Sequence, residues 1–231
     1  MSKKYLLLSA LTLLTTVEAN AGHFYVGPYI GLGATQGEFK ASNASGSTTR
    51  KNNFGENSFI GGLMAGYSYP CNNWFVGGEL LGNFDTLSED IISEKNGNGI
   101  GPETFKLRRR SNFGFAARLG MKIVADVVLY VRFGGEWTNA KLSYTGVDGT
   151  ISTTVRDAKS KTLFAFVPGI GIEAPIANKW KVRIEGKHSL SRKLNLRVPT
   201  APGGNSLIFD GFNTKVKTSQ TSVIMGVTYS F

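Results

Sequence analysis

From Phe24 to Phe231 apolar side chains recur at every second position, segment after segment, and this alternation constrains the fold more than any other feature. The run Phe24-Tyr25-Val26-Gly27-Pro28-Tyr29-Ile30-Gly31-Leu32-Gly33 places mostly large apolar residues at even positions and Gly or Tyr at odd ones. That is the pattern of a strand with one apolar face. Residues 58–69 repeat it with Phe59, Leu63, Ala65, Tyr67 and Tyr69, and residues 74–84 with Trp74, Val76, Leu80 and Phe84 against Glu79 and Asn83. Residues 112–121 set Phe113, Phe115, Ala117 and Leu119 against Arg118, and residues 127–138 set Leu129, Val131, Phe133 and Trp137 against Arg132 and Glu136. Residues 162–174, 180–190 and 219–231 complete the series, with Glu173, Arg183, Glu185 and Lys187 on the polar parity. Eight segments of about 10 residues suit a closed ring of tilted, membrane-crossing strands.

The connections alternate in length. Residues 70–73, 122–126 and 175–179 are short, whereas 34–57, 85–111, 139–161 and 191–218 are long and rich in Gly, Ser, Thr, Asn and Lys. This arrangement predicts an all-β fold, an eight-stranded antiparallel up-and-down transmembrane β-barrel. It would carry four long extracellular loops and three short periplasmic turns. Tyr69, Trp74, Trp180, Tyr229 and Phe231 sit at the short-turn ends, and Phe59, Phe84, Phe113, Trp137 and Phe164 near the long-loop ends. Two aromatic girdles around a band of Val, Leu, Ile and Gly mark a lipid-facing surface. A soluble barrel of lipocalin type would turn its apolar parity inward and gives no reason for aromatics at both strand ends.

The N-terminal segment has a different character. Lys3 and Lys4 precede an apolar run over residues 5–17, and Ala19-Asn20-Ala21 offers a small-x-small cleavage site before Gly22. This predicts a secretory signal peptide over residues 1–21 and a barrel over 22–231. The apolar run is too short for a membrane helix, which needs roughly 20 residues. An exported barrel belongs in the outer membrane of a Gram-negative bacterium, where nucleic acid is not an expected partner. Cys71 is the single cysteine, so an internal disulfide framework and a Cys-based zinc site are excluded. With His23 and His188 the only histidines, a multi-histidine centre is excluded as well, and neither cofactor nor metal is expected. In its periplasmic turn Cys71 is either a free thiol or a crosslink to another chain.

Several strand motifs resemble the opacity-protein/OmpA-type family of small eight-stranded, porin-like outer-membrane barrels. They are Phe24-Tyr25-Val26-Gly27, Phe59-Ile60-Gly61-Gly62 through Ala65-Gly66-Tyr67, Trp74-Phe75-Val76-Gly77-Gly78-Glu79, Ala117-Arg118-Leu119-Gly120, Leu129-Tyr130 and Gly134-Gly135. The ending Gly226-Val227-Thr228-Tyr229-Ser230-Phe231 is similar to that family's C-terminal assembly signal. The resemblance implies that Tyr229 and Phe231 are read by barrel-assembly machinery. It covers the strands and not the long loops, so it implies architecture and leaves function to be argued from sites.

Three function classes follow: a structural and surface-interaction (adhesin or opacity-like) barrel, a small porin-like channel with a polar lumen, and a lipid A-modifying enzyme. The enzyme candidate is Gly186-Lys187-His188-Ser189-Leu190-Ser191. Strict alternation puts His188 on the lipid parity and both serines on the other, out of reach of a base that a nucleophile must touch. The reading is therefore non-enzymatic. On the polar parity, Glu79, Glu136, Glu173 and Glu185 balance Arg118, Arg132, Arg183 and Lys187. Eight strands leave room only for side chains, and buried charges persist when paired, so this set predicts a plugging charge network. The chain carries 26 Lys+Arg against 16 Asp+Glu, and the largest loop excess is Arg192, Lys193, Arg197, Lys215 and Lys217 against Asp210. Those cations are expected to meet lipopolysaccharide phosphates in the outer leaflet, or a host polyanion or surface.

Overall fold

The computed structural model describes residues 22–43, 48–94, 103–124, 126–148, 153–198 and 212–231. The expected signal segment, residues 1–21, and Asp210 lie outside the described residues. The strands are β1 (His23–Ser42), β2 (Thr48–Cys71), β3 (Trp74–Asp85), β4 (Ser88–Glu94), β5 (Glu103–Val124), β6 (Val127–Asp148), β7 (Thr153–Ala177), β8 (Trp180–Arg197) and β9 (Asn213–Ser230). All pairings are antiparallel in the order β3-β2-β1-β9-β8-β7-β6-β5-β4, and β3 also pairs with β5. That last pairing closes an eight-membered ring, because β3 and β4 are two parts of one interrupted strand.

The interruption is held by local hydrogen bonds. The Leu87 N–H donates to the Asp85 carboxylate at 3.0 Å, and the Phe59 N–H donates to Thr86 Oγ1 at 3.0 Å. Three tight turns join strands at the other end, each with one residue of positive φ: Asn72 at 56°, Asp126 at 63° and Lys179 at 68°. The first two are residue types that tolerate this conformation.

The parity inferred from the sequence is the observed one in the lower half of the ring. Val26, Ile30, Leu63, Leu80, Phe115, Val131, Ile170 and Val223 point outward and are exposed. The strands, however, run to 25 residues in β7, so most of the stretches expected as long loops are strand. Within 34–57, 85–111, 139–161 and 191–218, pairing continues well above the outer aromatic row. The alternation survives there with its polarity exchanged. Phe39, Phe105, Leu142, Tyr144, Leu194 and Leu196 point inward and form an apolar core, while the outer surface is polar. Above the bilayer the outside of the wall meets water, so the hydrophobic effect sends apolar residues to the inside.

The wall is not uniformly paired. β2–β3 pairing ends at Ile60–Asp85, and β7–β8 pairing ends at Gly169–Lys187, beside Pro168. Among the register shifts, the bulges between Arg109 and Asn112 in β5 and between Ser189 and Arg192 in β8 fall mid-strand and exchange which residues face inward.

Gly171 shows how closely the interior is filled. A Cβ placed there would overlap the Tyr130 ring and stand 2.9 Å from the Ile184 carbonyl oxygen. Gly171→Val is therefore expected to push Tyr130 aside and destabilise the barrel by about 1–3 kcal/mol, the usual range for overpacking. A lowered urea midpoint of the refolded protein checks this; an unchanged midpoint would show that Tyr130 can move at no cost.

Candidate functional site

The charges on the polar parity meet in the lumen. Glu79 accepts from Arg183 Nη1 at 2.5 Å and from the Tyr25 hydroxyl at 2.8 Å. Arg118 Nη2 donates to Glu173 at 2.8 Å while its Nη1 lies 3.7 Å from Glu79. The Arg118 guanidinium also lies 4.0 Å from the centre of the Tyr130 ring and 5.3 Å from that of Phe75, within cation–π range. Lys181, at the periplasmic mouth, reaches Glu173 at 3.0 Å. One tier up, Lys187 donates to Glu136 at 2.7 Å, and Arg132 lies 3.5 Å from Glu185 and 3.8 Å from Glu136. The Tyr130 hydroxyl donates to Glu185 Oε2 at 2.9 Å. All eight charges singled out from the sequence, namely Glu79, Arg118, Arg132, Glu136, Glu173, Arg183, Glu185 and Lys187, are buried and ion-paired.

Other interior groups escaped the sequence analysis. Arg109 and Asp85 pair at 3.0 Å inside the ring, and Tyr29, Asn83 and Asn112 form a hydrogen-bonded chain. On the β9, β1 and β2 side the buried inward residues carry no charge: Thr35, Ser58, Gln220, Ser222 and Thr228 lie there, and Tyr29, Ile60, Met64 and Ile224 form an apolar cluster with Leu81 of β3. The lumen thus has an ionic side and an uncharged side.

Arg192 was expected among the outer cations. The β8 bulge turns it inward, where its side chain is 3% exposed and 3.9 Å from Glu136. The same bulge corrects the enzyme argument. Ser189 is buried but Ser191 is exposed, and His188 Nδ1 is 2.9 Å from Thr221 Oγ1. No carboxylate lies within ion-pair distance of His188 among the described residues, and the partner that orients its ring is the Thr221 hydroxyl. Lys193, Arg197, Lys215 and Lys217 do lie on the exposed surface of β8 and β9, with Lys193 opposite Lys217.

A second basic area is better organised. On β5, β6 and β7, Phe113, Trp137 and Phe164 form an aromatic row, with centroid separations of 6.2 and 5.3 Å. Immediately above it, Asn139 donates to Ser111 at 3.0 Å and accepts from Thr162 at 2.8 Å. Above that row come Arg108, Arg110 and Lys141, with Lys161 at the free edge of β7, around a surface hollow of about 410 Å³. No carboxylate stands within ion-pair distance of these four among the described residues. In contrast, Lys106 is matched by Asp90 at 3.1 Å, and Lys40 and Lys51 share Glu38 at 3.3 and 2.9 Å. Hydrogen bonding from Lys51 holds the Glu38 carboxyl below the usual carboxylate range, with Lys40 adding to the effect.

At the periplasmic end, Trp180, Tyr229 and Phe231 stack edge to face, at 5.0 and 5.3 Å. The Phe231 N–H donates to the Phe24 carbonyl at 2.9 Å, so the last residue also helps close β9 on β1. Cys71 is a free, exposed thiol in the first turn.

An apolar belt with aromatic rows at both edges, around a ring whose lumen is ion-paired, defines an integral outer-membrane β-barrel protein of a Gram-negative bacterium. Residues 6–231 match the model of the outer membrane protein beta-barrel domain, and the chain belongs to that family. An uncharacterized protein of Coxiella burnetii is 23% identical over 223 residues, covering 90% of this chain and 83% of its own. Among solved structures, the outer membrane protein OprG from Pseudomonas aeruginosa is 12% identical with a TM-score of 0.51, covering 91% of this chain and 96% of its own. Ail, the attachment invasion locus protein of Yersinia pestis, is 15% identical with a TM-score of 0.42, covering 90% and 98%. The likeness to OprG bears on fold alone.

Arg118→Ala should strand both Glu173 and Glu79 in a low-dielectric interior. Removing one partner of a buried pair costs about 3–5 kcal/mol, so the variant should unfold at markedly lower urea than wild type. A loss under about 1 kcal/mol would mean that Lys181 and Arg183 suffice, in the range expected of exposed pairs.

Proposed function

We propose that this protein is a non-enzymatic, plugged barrel that works at the cell surface by holding polyanions on its basic outer wall. The observation that carries this is the layered surface of β5, β6 and β7. Aromatic rings mark the hydrocarbon boundary, a polar row lies at the interface, and Arg108, Arg110, Lys141 and Lys161 stand without acidic partners where lipid phosphates lie. This face suits the phosphates of lipopolysaccharide, whose negative charge such side chains bind strongly. Lys193, Arg197, Lys215 and Lys217, on β8 and β9 where the strands rise toward the solvent, suit a soluble polyanion such as a host sulfated polymer. Ion pairs across the lumen and the apolar core above them support a barrel that conducts little.

Two four-residue exchanges separate these roles. Glutamine at positions 108, 110, 141 and 161 should remove the stabilisation that lipopolysaccharide-containing vesicles give over plain phospholipid vesicles. Glutamine at 193, 197, 215 and 217 should instead remove retention on heparin-like polymers. Wild-type retention should itself fade with salt, because the Debye length falls from roughly 10 Å at 0.1 M to 3 Å at 1 M. Equal retention by wild type and both variants would sink the surface-binding reading, and a planar-bilayer conductance like that of a general porin would replace it with the channel.

Glu38 adds a pH dependence. Its lowered pKa keeps it ionised to lower pH than an ordinary glutamate, so Lys40 and Lys51 stay neutralised until pH falls through that value. Binding of dextran sulfate should rise on such acidification. Glu38→Gln should bind more at neutral pH and lose that part of the rise; identical pH profiles would show that Glu38 does not gate the two lysines.

A further inference from the structure

Between the ionic lumen and the apolar core above it lies a small cavity of about 10 Å³. It is lined by Arg109, Thr138, Arg192 and Thr218 together with apolar residues that include Leu163 and Leu194. A volume of that order holds one particle of about water size. Arg109, Arg192 and Thr138 are 4%, 5% and 0% exposed. Arg109 Nε, Arg192 Nε, Arg192 Nη2 and Thr138 Oγ1 have no hydrogen-bond partner. The geometry leaves these donors little choice. Arg109 Nη2 is committed to Thr35 at 2.7 Å and Asp85 at 3.0 Å. Glu136, the carboxylate nearest Arg192, already takes Lys187 at 2.7 Å and faces Arg132 at 3.8 Å.

The local charge is also out of balance. Asp85, Glu136 and Glu185 are three carboxylates facing four cations, Arg109, Arg132, Lys187 and Arg192. A guanidinium can only donate, and an uncompensated buried charge is costly. A water molecule accepts two hydrogen bonds and carries no charge. A monatomic anion accepts from every direction and supplies the missing negative charge.

We propose that this cavity binds one monatomic inorganic anion, chloride in ordinary media, held by Arg109 Nε, the Arg192 guanidinium and the Thr138 hydroxyl. Sulfate and phosphate are too large for it. The anion completes the upper tier of the ionic lumen and locks β5, β6 and β8 together beneath the apolar core.

The test is unfolding of the refolded barrel in micelles, in sodium gluconate, with chloride substituted at constant ionic strength. Binding to the folded state alone lowers the unfolding constant by the factor 1 + [anion]/Kd, so above Kd each tenfold rise in chloride should lower it about tenfold. Thr138→Val should need more chloride for the same effect, and Arg192→Met should show none. A wild-type unfolding constant independent of chloride overturns the proposal, as does an Arg192→Met slope equal to that of wild type. Should Arg192→Met not insert, crystals of the wild-type protein grown with bromide decide: an anomalous peak between Arg109 and Arg192 supports the site, and its absence there overturns it.

Discussion

Everything in this barrel depends on pairing charge where there is no water to solvate it. An eight-stranded ring is filled by its own side chains, and a lone ion inside it would be expensive. Glu79 on β3 is therefore met by Arg183 from β8, Arg118 from β5 and Tyr25 from β1. Arg118 in turn reaches Glu173 on β7. The Glu79–Arg118 contact reinforces the paired strands β3 and β5, whereas Glu79–Arg183, Glu79–Tyr25 and Arg118–Glu173 act as spokes across the ring, tying strands that share no backbone pairing.

Along its axis the same wall solves two solvent problems in opposite ways. In the membrane the outer surface is apolar and the lumen ionic; above it the outer surface is basic and the interior apolar, with Phe39, Phe105 and Tyr144 in ring contact. Period-two alternation runs through both regions, so one extended strand serves both. The exchange occurs at the outer aromatic row. This is the level at which Arg108, Arg110 and Lys141 can meet lipid phosphate without leaving the rigid wall, and a site on strands is positioned more firmly than one on loops.

Within the membrane belt, the facing of each residue was legible from the sequence, because lipid on one side and a filled lumen on the other sort side chains by parity alone. The lumen set from Glu79 to Lys187 follows from that rule. The rule fails at Arg192, where the bulge between Ser189 and Arg192 restarts the count and turns an assumed surface cation inward. The bulge before Asn112 hides Arg109 in the same manner. Bulges insert a residue without a strong composition signal. The outer segments were misjudged as loops for a related reason: their polar residues look loop-like until the apolar partners across the ring, such as Leu142 and Leu196, are brought together.

The sequence by itself determined the strands of the belt, their outward faces, the tight turns and the inventory of charges to be neutralised. These follow from local alternation and from the solvent on either side. Only the tertiary structure decided which charges meet, where bulges reverse facing, and which surface cations stand without acids. Those depend on register around a closed ring, where residues far apart in sequence, such as Arg183 and Glu79, become neighbours only after β5 has paired with β3.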